Sequence, residues 1–176
     1  MIAAMGEGSD RTLTVREASD ADSEIACDLM HEYLQWAIER LSEEYDIEWP
    51  PIDRQATLSY VRQLQRPQGA VFVAETGGAA IGVGAVHRLE PGVAEIKRMY
   101  VRPEARGLHA GSAILDRLLV EAKLDGNHLV RLDTVRFMLD AQRLYRSRGF
   151  IERPPYPGTE IPSELHRHWL FFERAL

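Results

Sequence analysis

Apolar residues recur along this chain at two periods, and the change from one to the other divides it into elements. Ile25, Leu29, Met30, Tyr33, Leu34, Ala37, Ile38 and Leu41 stand three and four apart, the spacing of a single stripe on an α-helix. Ser19-Asp20-Ala21-Asp22 lies just before them and offers side chains that cap a helix start. Glu48-Trp49-Pro50-Pro51 breaks that run. A shorter helix is then expected over residues 53–65, with Ala56, Tyr60, Val61 and Leu64 turned inward. Residues 12–17 alternate and read as an opening strand. Residues 70–75 and 79–87 read as two strands joined by Thr76-Gly77-Gly78, a hairpin signal. A third strand, 93–101, follows the turn Glu90-Pro91-Gly92.

Residues 112–123 place Ile114, Leu115, Leu118, Leu119 and Ala122 on one side of a helix that Asp125-Gly126-Asn127 stops. A buried strand is expected over 129–134 and a helix over 138–147, ended by Gly149. Phe150-Ile151 begins another strand, 154–162 is a proline-rich loop, and 168–173 is the last strand, with His166 and His168 on an exposed edge. The order is β-α-α-β-β-β-α-β-α-β-β. Three adjacent strands suit an antiparallel meander, and the later β-α-β crossings require parallel pairing. The fold class is therefore α/β (α+β), with a central mixed, mostly antiparallel sheet of about six to seven strands flanked by helices.

Composition narrows the classes of function. With 176 residues, 45% hydrophobic and 27% charged, the chain matches one ordinary globular domain. Residues 1–10 read as a flexible tail and 11–176 as the domain. No apolar run is long enough to span a bilayer, and the start of the chain lacks the pattern of a signal peptide. Cys27 is the only cysteine. It excludes an internal disulfide, suits a reducing compartment and reads as buried filler, so the cytoplasm is the expected location. The formal charge is -6, from 27 acidic and 21 basic side chains. This argues against a nucleic-acid partner, although Arg98, Arg102 and Arg106 form a local basic patch.

The segment Arg106-Gly107-Leu108-His109-Ala110-Gly111-Ser112 joins a strand to a helix. A helix start presents unpaired N–H groups and the positive end of a dipole. Glycines let an anion approach the backbone closely, and Arg106 adds a charged donor. Two other phosphate motifs fail. Gly111 is followed by Ser112-Ala113, without the lysine of a P-loop. Gly82-Val83-Gly84 lies inside a strand, with His87 where the last glycine of a dinucleotide fingerprint belongs.

The run from Met99 to Gly111, Met99-Tyr100-Val101-Arg102-Pro103-Glu104-Ala105-Arg106-Gly107-Leu108-His109-Ala110-Gly111, resembles the pyrophosphate-binding signature of the GNAT N-acetyltransferase superfamily. Leu144-Tyr145-Arg146-Ser147-Arg148-Gly149-Phe150 resembles its second signature. The resemblance implies a GNAT-like acyl-CoA N-acyltransferase fold and acetyl-CoA as donor, with no metal. The backbone of Met99 and Val101, with Tyr100 between them, would pair with the acetyl and pantetheine groups. The N–H groups of Gly107, Leu108, His109, Ala110, Gly111 and Ser112 would hold the pyrophosphate. His109 stands where the family usually has glycine, and Met138 where many relatives place asparagine. If the His109 position needs φ > 0, the histidine is strained. The acceptor pocket of the pattern would draw on Tyr33, Trp36, Trp49, Tyr60 and Pro154-Pro155-Tyr156-Pro157. Homodimers are common in the superfamily.

Tyr145 matches the family's general acid; a phenol ionises near 10 and a thiol near 8.5, so a tyrosine can protonate a departing thiolate. Glu95 is the candidate base, with partial burial expected to raise its pKa; an ion pair with Lys97, two residues along the strand, is the alternative. Arg98 or Lys97 is a candidate for receiving a substrate carboxylate, and Asp133 and Thr134 end a strand that can face the cleft. The leading expectation is acetyl transfer to a primary amine of a small molecule or amino-acid-like acceptor, in a ternary complex. Acetylation of a protein, or a non-catalytic acyl-CoA sensor, are the rival readings.

Overall fold

The element order implied by periodicity is the order of the fold in the computed structural model, which describes residues 12–176. The expected tail, 1–10, lies outside the described residues. The strands are β1 (Thr14–Glu17), β2 (Gly69–Thr76), β3 (Ala79–Glu90), β4 (Val93–Val101), β5 (Leu129–Val135), β6 (Ile151–Arg153) and β7 (Trp169–Ala175). The helices are α1 (Ser23–Tyr45), α2 (Arg54–Gln63), α3 (Ala110–Leu124) and α4 (Leu139–Ser147). One seven-stranded sheet has the order β1-β2-β3-β4-β5-β7-β6. All neighbours are antiparallel except β4 and β5, which run parallel. Among the described residues no helix is long and apolar enough to cross a membrane.

Both faces of the sheet are covered, which is why β2 reads as a continuous apolar run rather than an alternating one. Its even positions, Ala70, Phe72 and Ala74, join Ile114, Leu115 and Leu118 of α3 on one face. Its odd positions, Val71 and Val73, join Leu29 and Met30 of α1 and Val61 of α2 on the other. A third group, Leu41, Val135, Tyr156, Trp169 and Phe171, closes the far end of the α1 face. Cys27 is fully buried in the α1 layer, as its helical setting implies.

Three details differ from the periodicity. Ile25 is 43% exposed; the buried row of α1 is Ala26, Leu29, Met30, Ala37 and Leu41, because α1 turns small residues toward the sheet and α2. Ala56 faces solvent while Thr57, Leu58 and Val61 point inward. Thr57 can be buried because its hydroxyl donates to the Asp53 carbonyl at 3.2 Å. Residues 163–168 form a 3-10 turn rather than the start of a strand. His166 there bonds the Ile161 carbonyl at 2.9 Å and stacks edge-on against Phe171.

Gly84 sets how closely α3 approaches the sheet. A Cβ there would stand 2.6 Å from Ile114 Cγ2 and 3.0 Å from Leu118 Cδ1, both fully buried. Gly84→Ala therefore forces α3 outward at a cost of about 1–3 kcal/mol. Thermal unfolding of the variant is expected to fall by several degrees, at about 2–4 °C per kcal/mol for a chain of this size. An unchanged midpoint would show that α3 re-seats freely.

Candidate active site

The site begins where a ladder stops. β4 and β5 register only at Val93–Leu129, Ala94–Val130 and Glu95–Arg131, yet β4 continues to Val101 and β5 to Val135. The β3–β4 register shifts between Val83 and Ala85, and within the matching stretch of β4 Arg98 adopts φ 55. A left-handed residue inside a strand is a bulge that bends it and re-aims its side chains. The β5-facing edge of β4 from Ile96 to Val101 is thus left without a strand partner, its main-chain groups directed into a gap.

That gap opens into a cleft of about 660 Å³. Met99, Tyr100 and Val101 of β4 form one wall. Arg106, Gly107, His109, Ala110, Gly111 and Ser112 form its mouth, and Met138 and Tyr145 lie on the α4 side. Tyr33 and Trp36, three apart on α1, complete it together with Phe137, whose ring meets that of Trp36 edge-on at 6.0 Å. Leu108 is the expected turn residue that the cleft does not include; its side chain is exposed.

The turn has the geometry of an anion seat. The first backbone bond of α3 runs from Ala113 N–H to the His109 carbonyl at 3.0 Å, so the N–H groups of Ala110, Gly111 and Ser112 precede the helical ladder. They face the positive end of the helix dipole, with Arg106 beside them. Of the three clustered arginines, Arg102 is engaged with Glu32 at 2.5 Å and Arg98 with Glu160 at 3.5 Å. His109 is the helix N-cap with φ 60 and ψ 16, so the strain expected for a side chain at this position is present. Gly107, at φ 86, takes the left-handed region without that strain.

Tyr145 is 6% exposed and packs between Phe150 and Phe172, yet it reaches the cleft. Burial, with smaller contributions from Tyr33 and Asp133, raises its pKa well above the usual 10. The phenol stays fully protonated at neutral pH.

Glu95 does not line that cleft. It is 1% exposed on the α1 face of β4, where Tyr156 O–H donates to Oε1 at 2.7 Å and His87 Nε2 donates to Oε2 at 2.9 Å. Lys97 Nζ stands 3.5 Å from Oε1, the strand-alternation contact expected from sequence. Burial pushes the Glu95 carboxyl up, but the His87 bond, the Lys97 charge and the Tyr156 bond outweigh it, so its pKa is lowered. The expectation of a raised pKa is corrected on this point: the carboxylate is buried but well solvated by donors. Asp133 behaves in the opposite way. It lies 3.7 Å from Lys97 Nζ, and burial raises its pKa against the Lys97 charge.

Other expected residues are redistributed. Tyr33 and Trp36 belong to the cleft just described, whereas Tyr60 lies under the Arg98 guanidinium, 5.4 Å from ring centroid to Cζ. Tyr156 is interior and packs edge-on against Phe171. The His87–Glu95 and Glu160 contacts were not anticipated. The first depends on a bulge: pairing straight outward from the turn at Pro91-Gly92 would set Arg88 opposite Glu95, and the register shift between Arg88 and Glu90 sets His87 there instead.

Comparison with known proteins agrees with this geometry. The family model described as "Acetyltransferase (GNAT) family" matches residues 28–150. An uncharacterized N-acetyltransferase of Schizosaccharomyces pombe is 38% identical over 60% of this chain and 66% of its own length, so the chain spans just under two thirds of that relative. An IAA acetyltransferase of Azospirillum brasilense is 35% identical over 66% of this chain and 74% of its own. A GNAT-family acetyltransferase structure from Staphylococcus aureus shares the fold with a TM-score of 0.71 at 20% identity, covering 94% of this chain and 99% of that one. A Salmonella typhimurium protein solved with its cofactor acetyl-CoA does so with a TM-score of 0.69 at 21% identity, covering 93% and 94%. The chain belongs to the GNAT acetyltransferase family.

His109→Gly removes the left-handed strain at the start of α3. The variant is expected to gain up to about 1 kcal/mol of stability, less the backbone entropy of glycine, read as a higher thermal midpoint. A lower midpoint would show that contacts of the imidazole outweigh its backbone cost.

Proposed function

We propose that this member of the GNAT family transfers the acetyl group of acetyl-CoA to a primary amine of a small-molecule or amino-acid-like acceptor, by direct attack within a ternary complex. The observation that carries this reading is the convergence, in one cleft, of an anion-binding helix start, an unpaired strand edge and a buried protonated phenol. The acetyl-CoA of the Salmonella typhimurium protein supports the donor, as does the coenzyme A of the Thermoplasma acidophilum PaiA N-acetyltransferase, which shares the fold with a TM-score of 0.69. The Azospirillum brasilense relative supports a small acceptor.

In this reading Arg106 and the N–H groups from Gly107 to Ser112 hold the pyrophosphate. The free edge of β4 at Met99 and Val101 pairs with the pantetheine amides and polarises the thioester carbonyl. Binding both reactants side by side supplies the orientation that a bimolecular reaction in water lacks. The amine attacks the carbonyl carbon, the C–S bond breaks, and Tyr145 gives its proton to the thiolate. The amine's own proton leaves through water toward Glu95, and His87, partly exposed and 2.9 Å from that carboxylate, offers it a route out.

Tyr145→Phe keeps the aromatic packing and removes the proton. Its kcat is expected to fall by about 10²–10⁴-fold while the Kd for acetyl-CoA changes little. Stopped assays of thiol release with a panel of amines, beside calorimetric titration of acetyl-CoA, measure the two quantities separately. Undiminished kcat removes Tyr145 as the acid, and donor binding without turnover on any amine or peptide removes acetyl transfer itself.

A further inference from the structure

On the α1 face of the gap three donors lie close together, and two of them are unsatisfied. Arg98 Nε is buried without a hydrogen-bond partner, and so is the Tyr60 hydroxyl. The Arg98 guanidinium stacks over the Tyr60 ring, and its Nη2 makes only a long contact, 3.5 Å, to Glu160. The Lys97 ammonium, 6% exposed, has its shortest contact with the same Glu160 oxygen, at 3.2 Å. Buried polar groups are normally satisfied; here the one carboxylate that Lys97 and Arg98 share, Glu160, is half exposed and sits on the loop 154–162. An open groove of about 1040 Å³ reaches Tyr60, His87 and Glu160 from the surface.

We propose that Arg98, Lys97 and Tyr60 form the seat for a carboxylate on the acceptor, and that Glu160 occupies this seat until the acceptor displaces it. The proposal rests on the acetyl-transfer reading above and names its acceptor class: α-amino acids and similar amino carboxylates. Nε and Nη2 of an arginine form a fork that matches the two oxygens of a carboxylate, and Glu160 reaches only one arm of it. Charge selects a carboxylate over a phosphate. Lys97 and Arg98 stand against Glu95 and Asp133 as two cations against two anions, so one carboxylate leaving as one enters preserves the balance. A dianion would not.

Position points to an α-amino group. Lys97 and Arg98 directly precede Met99, whose backbone borders the donor cleft. Asp133, beside Lys97, is near enough to Tyr145 for its charge to help hold that phenol's proton. A carboxylate resting on Arg98 thus lies one residue along β4 from the wall of the donor cleft, which suits an amine on the adjacent carbon.

The test is thiol release from acetyl-CoA with the twenty α-amino acids, each matched with its α-carboxamide, which keeps the amine and removes the charge. The best acceptor is expected to be a free acid, with kcat/KM at least about ten-fold above its amide. In Glu160→Gln, an exposed and fold-neutral change, the acid-to-amide ratio rises about three- to ten-fold through a lower KM for the acid, because the competing carboxylate is gone. In Arg98→Gln the ratio falls, and Arg98→Lys, which retains the charge, restores part of it. Amides used as well as acids, or a ratio unmoved by Glu160→Gln, overturn the seat and leave acetyl transfer intact. If no acid or amide releases thiol, acetyl transfer to these amines fails, and the seat is read by titrating the CoA-loaded protein with the N-acetyl amino acids. Tighter binding to Glu160→Gln than to the parent then supports the seat, and equal or no binding removes it.

Discussion

Three registered residue pairs hold β4 to β5, and the point at which this parallel ladder ends governs the rest of the site. A sheet that kept zipping past Glu95 and Arg131 would satisfy its backbone groups and have nothing left to offer a ligand. The left-handed Arg98 prevents it. Its φ of 55 shifts the β3–β4 register and turns the end of β4 away from β5. A non-glycine residue in that region costs on the order of 1–3 kcal/mol and persists only when its surroundings demand it. Here β3 anchors one edge of β4, and the strained residue also aims a cation at Tyr60. Strain, gap and cation have one cause.

The buried charges beside the gap follow from the same divergence. Lys97 sits among Glu95, Asp133 and Glu160, at 3.5, 3.7 and 3.2 Å. Removing an ammonium from water is expensive, and several imperfect partners are needed to offset it. Glu95 is held ionised by its donors, while Asp133 has its proton affinity increased by burial. Two carboxylates within reach of one lysine are thereby set apart in proton affinity. Such separation is common where protons are exchanged, and a purely structural ion pair has no need of it.

Much of this was legible in the chain. The period-two runs with Gly77-Gly78 and Pro91-Gly92 between them define β2, β3 and β4 almost to the residue, because tight turns fix where pairing starts, although bulges beyond each turn then shift the register. Tyr145 and the turn at Arg106 were legible through local motif. Helix phase was not. Ile25 and Ala56 fit an apolar stripe, but which side of a helix is buried depends on partners distant in sequence, and small residues such as Ala26 win the tight contact. The Glu95–Tyr156 and Lys97–Glu160 contacts, more than sixty residues apart, arise from a loop closing over the sheet, which no local pattern announces. The lowered pKa of Glu95 was only partly legible: Lys97 stands two residues along the strand, but the hydrogen bonds come from His87 on β3 and Tyr156 on that loop.

In the proposed reaction the sheet also separates the two reactants. Tyr145 packs with Phe150 and Phe172 on the α3 face, while Lys97, Glu95 and Asp133 lie on the face covered by α1 and α2. A continuous sheet would keep these groups apart. The gap joins them, and Tyr33 from α1 meets Tyr145 from α4 across the same cleft. A nucleophile arriving from one face and a thiolate protonated from the other suit direct transfer through the opening, with the carbonyl held between them on the free edge of β4. Such a geometry requires no acyl-enzyme. Cys27 could not readily supply one: it is buried under α2, its thiol directed to the Arg54 carbonyl at 3.6 Å and its pKa pushed up by burial. The chemistry that the fold favours is therefore a consequence of where β4 and β5 part company.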